Sequence, residues 1–155
     1  MKRFAVVFLA LFALILSCAG ATPEQVVKKM IDGAQNGDGN AIVSCMSAEA
    51  VQELDESLIQ LKEAPEESAE FLAMLGIEMT AEEVTNITAG DFISAILSSE
   101  VMAEEMPDFS SAVIGETIID GEKALVEVTI DGDTNEFELI LQDGEWKLEE
   151  GLDFM

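Results

Sequence analysis

Histidine and tyrosine are absent from this 155-residue chain, and its one arginine is Arg3. Without histidine there is no Ser-His-Asp triad, no Cys-His dyad and no imidazole ligand for zinc. Basic residues are scarce: seven Lys and Arg stand against 32 Asp and Glu, a net charge of −25. A nucleic-acid binder needs a cationic patch to neutralise phosphates, so that class is excluded. Long apolar runs are missing too. The uncharged stretch over residues 4–16 makes a helix of about 20 Å, short of the ~30 Å hydrocarbon core, so it is not read as a permanent span. The whole chain is 49% hydrophobic, enough apolar material for a core in a chain of single-domain length.

The N-terminus reads as an address. Met1-Lys2-Arg3 is basic, residues 4–16 are apolar, and Ser17-Cys18-Ala19-Gly20 are small, the pattern of a secretory signal. Ile15-Leu16-Ser17-Cys18 resembles the bacterial lipobox. That resemblance implies cleavage before Cys18 and acylation of its thiol; Ala19 in place of Asp implies the outer membrane, if the cell has one. Two or more acyl chains give stable attachment where one does not. The expected organisation is a signal peptide over 1–17, a lipidated tether over 18–21 and one α+β domain over 22–155. The expected location is the cell envelope, with the membrane as a partner through Cys18.

Removal of the signal leaves Lys28, Lys29, Lys62, Lys123 and Lys147 against 32 carboxylates, a net charge of −27. Such a surface is repelled by anionic headgroups, so attachment depends on the anchor. It also suits a salty medium that screens self-repulsion. With Cys18 acylated, Cys45 has no disulfide partner. It lies within the run Ala41-Ile42-Val43-Ser44-Cys45-Met46 and is read as a small buried apolar residue rather than a reactive thiol.

The periodicity changes along the chain. Residues 22–106 read as helices. Thr22, Pro23 and Gln25 form a capping box, and Asn36-Gly37 ends the first helix. A short helix follows over 39–46, and Ser47 caps a third that Pro65 interrupts. A segment over 66–75 ends at Gly76, Thr80-Ala81-Glu82-Glu83 is a second capping box, and Phe92, Ile93, Ile96 and Leu97 mark a last helix before Pro107. Residues 109–150 alternate with period two, as in Ala124, Val126, Val128 and Ile130. Turns are expected at Asp120-Gly121, Asp131-Gly132 and Asp143-Gly144. The fold class is therefore α+β, with N-terminal helices packed on a curved C-terminal antiparallel sheet of about four strands.

Three segments carry a family resemblance: Thr22-Pro23-Glu24-Gln25-Val26-Val27, Gly121-Glu122-Lys123-Ala124-Leu125-Val126-Glu127-Val128, and Asp143-Gly144-Glu145-Trp146-Lys147-Leu148. Together they resemble small bacterial lipoproteins with a nuclear transport factor 2-like domain of unknown function. The match covers about 22–46 and 112–150; the long, acidic, helical middle departs from it. The resemblance implies a conical fold whose concave sheet wraps a helix and in some relatives encloses a site. Isomerase relatives pair a carboxylate base with a Tyr hydroxyl, and this chain has no Tyr.

Several constellations are weighed for chemistry. The pairs Glu66-Glu67, Glu82-Glu83, Glu104-Glu105 and Glu149-Glu150 sit in polar contexts and read as solvated faces. Asn36-Gly37-Asp38-Gly39-Asn40 and Asp131-Gly132-Asp133-Thr134-Asn135-Glu136 mimic calcium loops but lack Gly at the sixth position. Met74, Met79, Met102 and Met106 read as core filling rather than a soft-metal site. Phe71, Phe92, Phe109, Phe137 and Trp146 are the candidates for lining a pocket or, failing that, for the helix–sheet core. No catalytic residue, cofactor or metal is assigned. The expected function is a lipid-anchored, acidic, non-enzymatic module binding a periplasmic or surface protein or a small apolar ligand. One alternative is a carboxylate-dependent hydrolase or isomerase in a cone pocket, with Asp91 beside Phe92 as the candidate base. The other is a purely structural, salt-adapted surface protein.

Overall fold

A computed structural model describes residues 20–103 and 106–149. The signal segment, Cys18, Glu104-Glu105, Glu150 and the side chain of Met102 lie outside the described residues. No described helix is long and apolar enough to cross a membrane.

Helix α1 (Pro23–Asn36) begins as its capping box requires: the Gln25 amide donates to the Thr22 hydroxyl at 3.4 Å, and the Thr22 amide donates to Gln25 Oε1 at 3.0 Å. Gly37, at φ +67°, ends it in the left-handed region. Helix α2 (Gly39–Val43) is shorter than expected, because the chain over 44–46 leaves the helix and Met46 bridges to Leu148. Helix α3 (Ala48–Glu63) is capped by Ser47, and Pro65 opens α4 (Pro65–Met74) at its first turn. Thr80 with Glu83 caps α5 (Ala81–Asn86). Thr88 with Asp91 caps α6 (Ala89–Ser98), and α7 (Glu100–Ala103) follows. The periodic apolar run predicts α6 but not its start, which is a third capping box at Thr88, and the short α7 stands between it and Pro107.

Strands β1 (Val113–Asp120), β2 (Lys123–Ile130), β3 (Asp133–Gln142) and β4 (Glu145–Leu148) form an antiparallel meander in sequence order. The α+β expectation, helices first and four antiparallel strands after, is what the chain adopts. Two turns place positive φ at both central residues, Asp131-Gly132 and Asp143-Gly144, as a type I′ hairpin requires. The first turn is displaced by one residue. Asp120 pairs with Lys123 in the ladder, and Gly121, at φ +64°, is the first central residue, as in type II′. A bulge sets Gly115 and Glu116 together against Glu127.

The main core lies between α1 and one face of the sheet. Val26, Val27, Met30 and Ile31 meet Ala124, Val126, Val128, Ile130, Leu139 and Leu148, with Ile42, Cys45 and Ile93 closing the sides. Full burial of a large aliphatic side chain contributes up to about 1.5–3 kcal/mol, so this interface dominates stability. Two smaller clusters hold the acidic middle together. Leu58 packs with Ile87 and Ala89, and Leu72 packs with Ile77 and Val84, with Phe92, Leu61 and Met79 shared between the clusters. Helices α2 and α6 cross closely where Gly39 meets Gly90. A Cβ on Gly39 would fall onto the Gly90 carbonyl oxygen, and one on Gly90 would fall onto the Asn40 side chain. Here glycine is needed for approach rather than for backbone conformation.

Candidate functional site

Three of the five aromatic candidates, Phe109, Phe137 and Trp146, share the main helix–sheet core, and Phe92 and Phe71 stand elsewhere. Phe109 is buried in the main core, with Phe137 and Trp146 packed against its rim. Phe92 is shared by the two helical clusters, and Phe71 is 52% exposed on α4. The space that a conical fold would leave between helix and sheet is occupied by Val27, Met30, Val126, Val128 and Leu139, each fully buried. Four of the aromatics are parts of the packed clusters, and Phe71 belongs to none of them.

The carboxylates stand at the surface. Among the described residues no Asp or Glu is buried. Asp91 is exposed, and its carboxylate accepts from the Thr88 hydroxyl at 2.7 Å and from the Thr88 amide at 3.2 Å. Those bonds hold its pKa below the usual range, the hydroxyl most strongly. Hydrogen bonds act in the same direction on Glu24 through Thr22, Glu83 through Thr80, and Asp108 through Ser110. A general acid or base working near neutrality needs the opposite displacement. The two loops that mimic calcium sites are also spent on structure. Asp38 accepts from the Ala41 amide at 2.9 Å to cap α2, and Asp131 accepts from the Asp108 amide at 2.8 Å and the Ser111 hydroxyl at 3.0 Å. Among the described residues no three Cys, Asp or Glu side chains are placed to hold a metal ion. Two of the methionines differ in setting: Met74 is 74% exposed on α4, while Met79 packs between the helical clusters.

One polar cleft was not anticipated. A cleft of about 190 Å³ lies between the start of α1, the turn after α2 and β4, lined by Gln25, Lys29, Ser44, Cys45, Trp146 and Lys147 among others. Two of the chain's few lysines meet there on one residue. Lys29 donates to the Ser44 hydroxyl at 2.7 Å, and Lys147 donates to the Ser44 carbonyl at 3.0 Å. Lys147 also pairs with Glu145 at 3.0 Å and holds that carboxyl below its usual range. Cys45 is buried beside them, and its thiol donates to the Ala41 carbonyl at 3.3 Å. Burial pushes this thiol up, against the opposing pull of Lys29, Ser44 and Lys147. The cleft therefore offers ammonium donors at an otherwise anionic surface, and no thiolate.

No protein-family model matches this chain, and no curated protein matches it. A crystal structure of a Campylobacter jejuni protein, named "Putative NTF2-like transpeptidase", is similar to it at 16% identity. The match covers 84% of this chain and 100% of that one, with a TM-score of 0.44.

Sequence reasoning missed the lysine cleft because its members are far apart in the chain. The spacing from Lys29 to Lys147 carries no periodic signal, and only the bridge between Met46 and Leu148 brings the turn after α2 against β4. The sole available sign was rarity: each lysine in so acidic a chain is a candidate for a specific partner. For Asp91 the structural signal was local. Thr88-x-x-Asp91 has capping-box spacing with Asp in place of Glu, a local signal that was present and passed over.

Proposed function

We propose that this chain is a lipid-anchored, non-enzymatic binding module of the cell envelope, working through its acidic surface. The observation that carries the reading is the closeness of the acylation-type cysteine to the folded head. Cys18 stands five residues before Pro23, where α1 begins. At ~3.3–3.6 Å per extended residue, that tether holds the domain within about 20 Å of the anchored atom. The abundance of exposed carboxylates makes headgroup adhesion by the domain itself unfavourable and leaves that surface to soluble or surface partners. The outer membrane is the proposed destination, following Ala19.

A non-enzymatic role is supported by the duty of Asp91, whose carboxylate is committed to the Thr88 cap. The test is expression of the full chain in a bacterial host fed an alkyne fatty acid. The wild type incorporates label and sediments with envelope membranes, and Cys18→Ser does neither. Unlabelled wild-type protein, or Cys18→Ser remaining membrane-bound, overturns the anchor. A turnover assay in which Asp91→Asn abolishes hydrolysis or isomerisation overturns the non-enzymatic reading.

A further inference from the structure

Strand β1 is an edge of the sheet among the described residues, with β2 as its neighbour there. It is eight residues long, and most of it faces solvent. Val113, Ile118 and Ile119 are more than half exposed. Among the described residues, its outer backbone groups lack a partner strand in a regular way. The two-residue turn at Gly121-Glu122 makes Asp120 with Lys123, and next Ile118 with Leu125, the hydrogen-bonded pairs of the ladder. Thr117 and Ile119 are the alternate pairs, so their N–H and C=O groups point away from β2, to the open side. No described residue pairs with that side.

Long, apolar, unpaired edges template strand addition, and proteins ordinarily blunt them with lysine, proline or strong bulges. Here β1 has no lysine and no proline, and its bulge at Gly115-Glu116 leaves the four residues from 117 to 120 in register. What surrounds the edge is negative. Glu116, Asp120, Glu122 and Glu127 flank its course, Glu24 reaches it through the Thr117 side chain, and Lys123 in the facing strand is paired with Glu149 at 2.8 Å. Like charge opposes the approach of a second copy of so acidic a chain. The same field attracts an extended segment that alternates cationic and aliphatic residues, whose backbone completes the edge while its aliphatic side chains cover Ile118 or Ile119.

We infer that β1 is a docking edge that takes up an extended, lysine- or arginine-rich segment of a partner protein by strand addition. This rests on the reading of the chain as a binding module and names the partner's chemistry.

The test uses the full chain in detergent micelles and two synthetic eight-residue peptides, one alternating Lys and Val and one alternating Glu and Val. Backbone amide exchange is read residue by residue by NMR. The Lys-Val peptide is expected to slow exchange at Thr117 and Ile119 by about tenfold or more, and the Glu-Val peptide to leave it unchanged. Ile119→Pro, which removes an outward N–H without touching the β2 ladder, abolishes the slowing. Glu116→Lys with Glu122→Lys weakens it and serves should the proline variant fail to fold. Lys-Val binding without protection at Thr117 and Ile119 is diffuse adsorption and overturns the proposal. So does protection that appears with protein concentration alone, which is pairing of two copies. Neither result touches the labelling of Cys18 or the turnover assay, so the failure of this inference is separable from the failure of the anchored-module reading.

Discussion

Ser47 and Leu148 are joined although they stand far apart in the chain: the Ser47 amide donates to the Leu148 carbonyl at 2.9 Å, and the Leu148 amide donates to the carbonyl of Cys45, two residues before Ser47, at 2.8 Å. These bonds weld the helical half to the last strand. Ser47 is fully buried and works three ways, since its hydroxyl also caps α3 through the Ala50 amide at 3.1 Å and reaches the Glu149 carbonyl at 3.3 Å. Ser47→Ala is expected to cost about 1–3 kcal/mol, the loss of a cap together with a buried acceptor left unmade. Urea titration followed by circular dichroism measures it; a change under about 0.5 kcal/mol would show that the weld is made by backbone alone.

The glycine crossing of α2 and α6 makes a second prediction. Gly39→Ala ordinarily helps a helix, but here the methyl group meets the Gly90 carbonyl and the Ser94 amide. The variant is expected to be less stable by about 1–3 kcal/mol, as for other overpacked sites. A thermal melt decides the sign, and stabilisation would mean that the two helices separate without penalty.

The aromatic residues separate core from surface. Phe109→Ala, in the main core with its carbonyl accepting from Gln35 Nε2 at 2.6 Å, is expected to cost about 3–5 kcal/mol. Phe71→Ala, at an exposed position, is expected to stay within about 0.5 kcal/mol. Equal losses in denaturant titrations would contradict their assignment to different environments.

Acid should weaken the fold in a defined window. The pKa values of Glu24, Glu83, Asp91, Asp108 and Glu145 are lowered from 4.5 for Glu and 3.8 for Asp. A depressed folded pKa gives stability that is complete above the unfolded value and is lost as pH falls through the folded one. The expected loss begins near those ordinary values and deepens below them, and Asp91→Asn flattens it while lowering stability at neutral pH. Relief of self-repulsion acts in the other direction. Denaturant midpoints that rise steadily down to about pH 2 would show that net charge outweighs the caps.

Cys45 should be inert in the folded chain. Its burial and raised pKa both disfavour the thiolate. A thiol-reactive dye at pH 8 is expected to label Cys45 of the Cys18→Ser chain only after denaturation. Prompt labelling of the native chain would show that the lysine cleft opens onto the sulfur.

Local signals were legible from the sequence. The capping boxes at Thr22 and Thr80, the Asp-Gly hairpins and the alternation of β2 each depend on residues within one turn or one strand, so their physics is complete in a short window. That is why α1, α5 and the meander stand where the spacing placed them. The displaced first turn and the truncated α2 were illegible for a common reason: each is settled by a partner strand or by β4, not by its own residues. Asp91 shows a third case, in which local capping and pocket chemistry competed for one side chain and the nearer hydroxyl won.

The amino-acid sequence by itself determined the charge, the missing histidine and tyrosine, the order of helices before strands and the caps that start them, because each follows from residue type or near-neighbour spacing. Tertiary structure alone decided that aliphatic side chains fill the described helix–sheet interface, that three aromatics join it while Phe92 and Phe71 do not, that Lys29 and Lys147 meet at Ser44, and that β1 has no second neighbour among the described residues. Those outcomes depend on which surfaces are brought together and on the volume that remains between them, quantities that exist only once distant parts of the chain have packed.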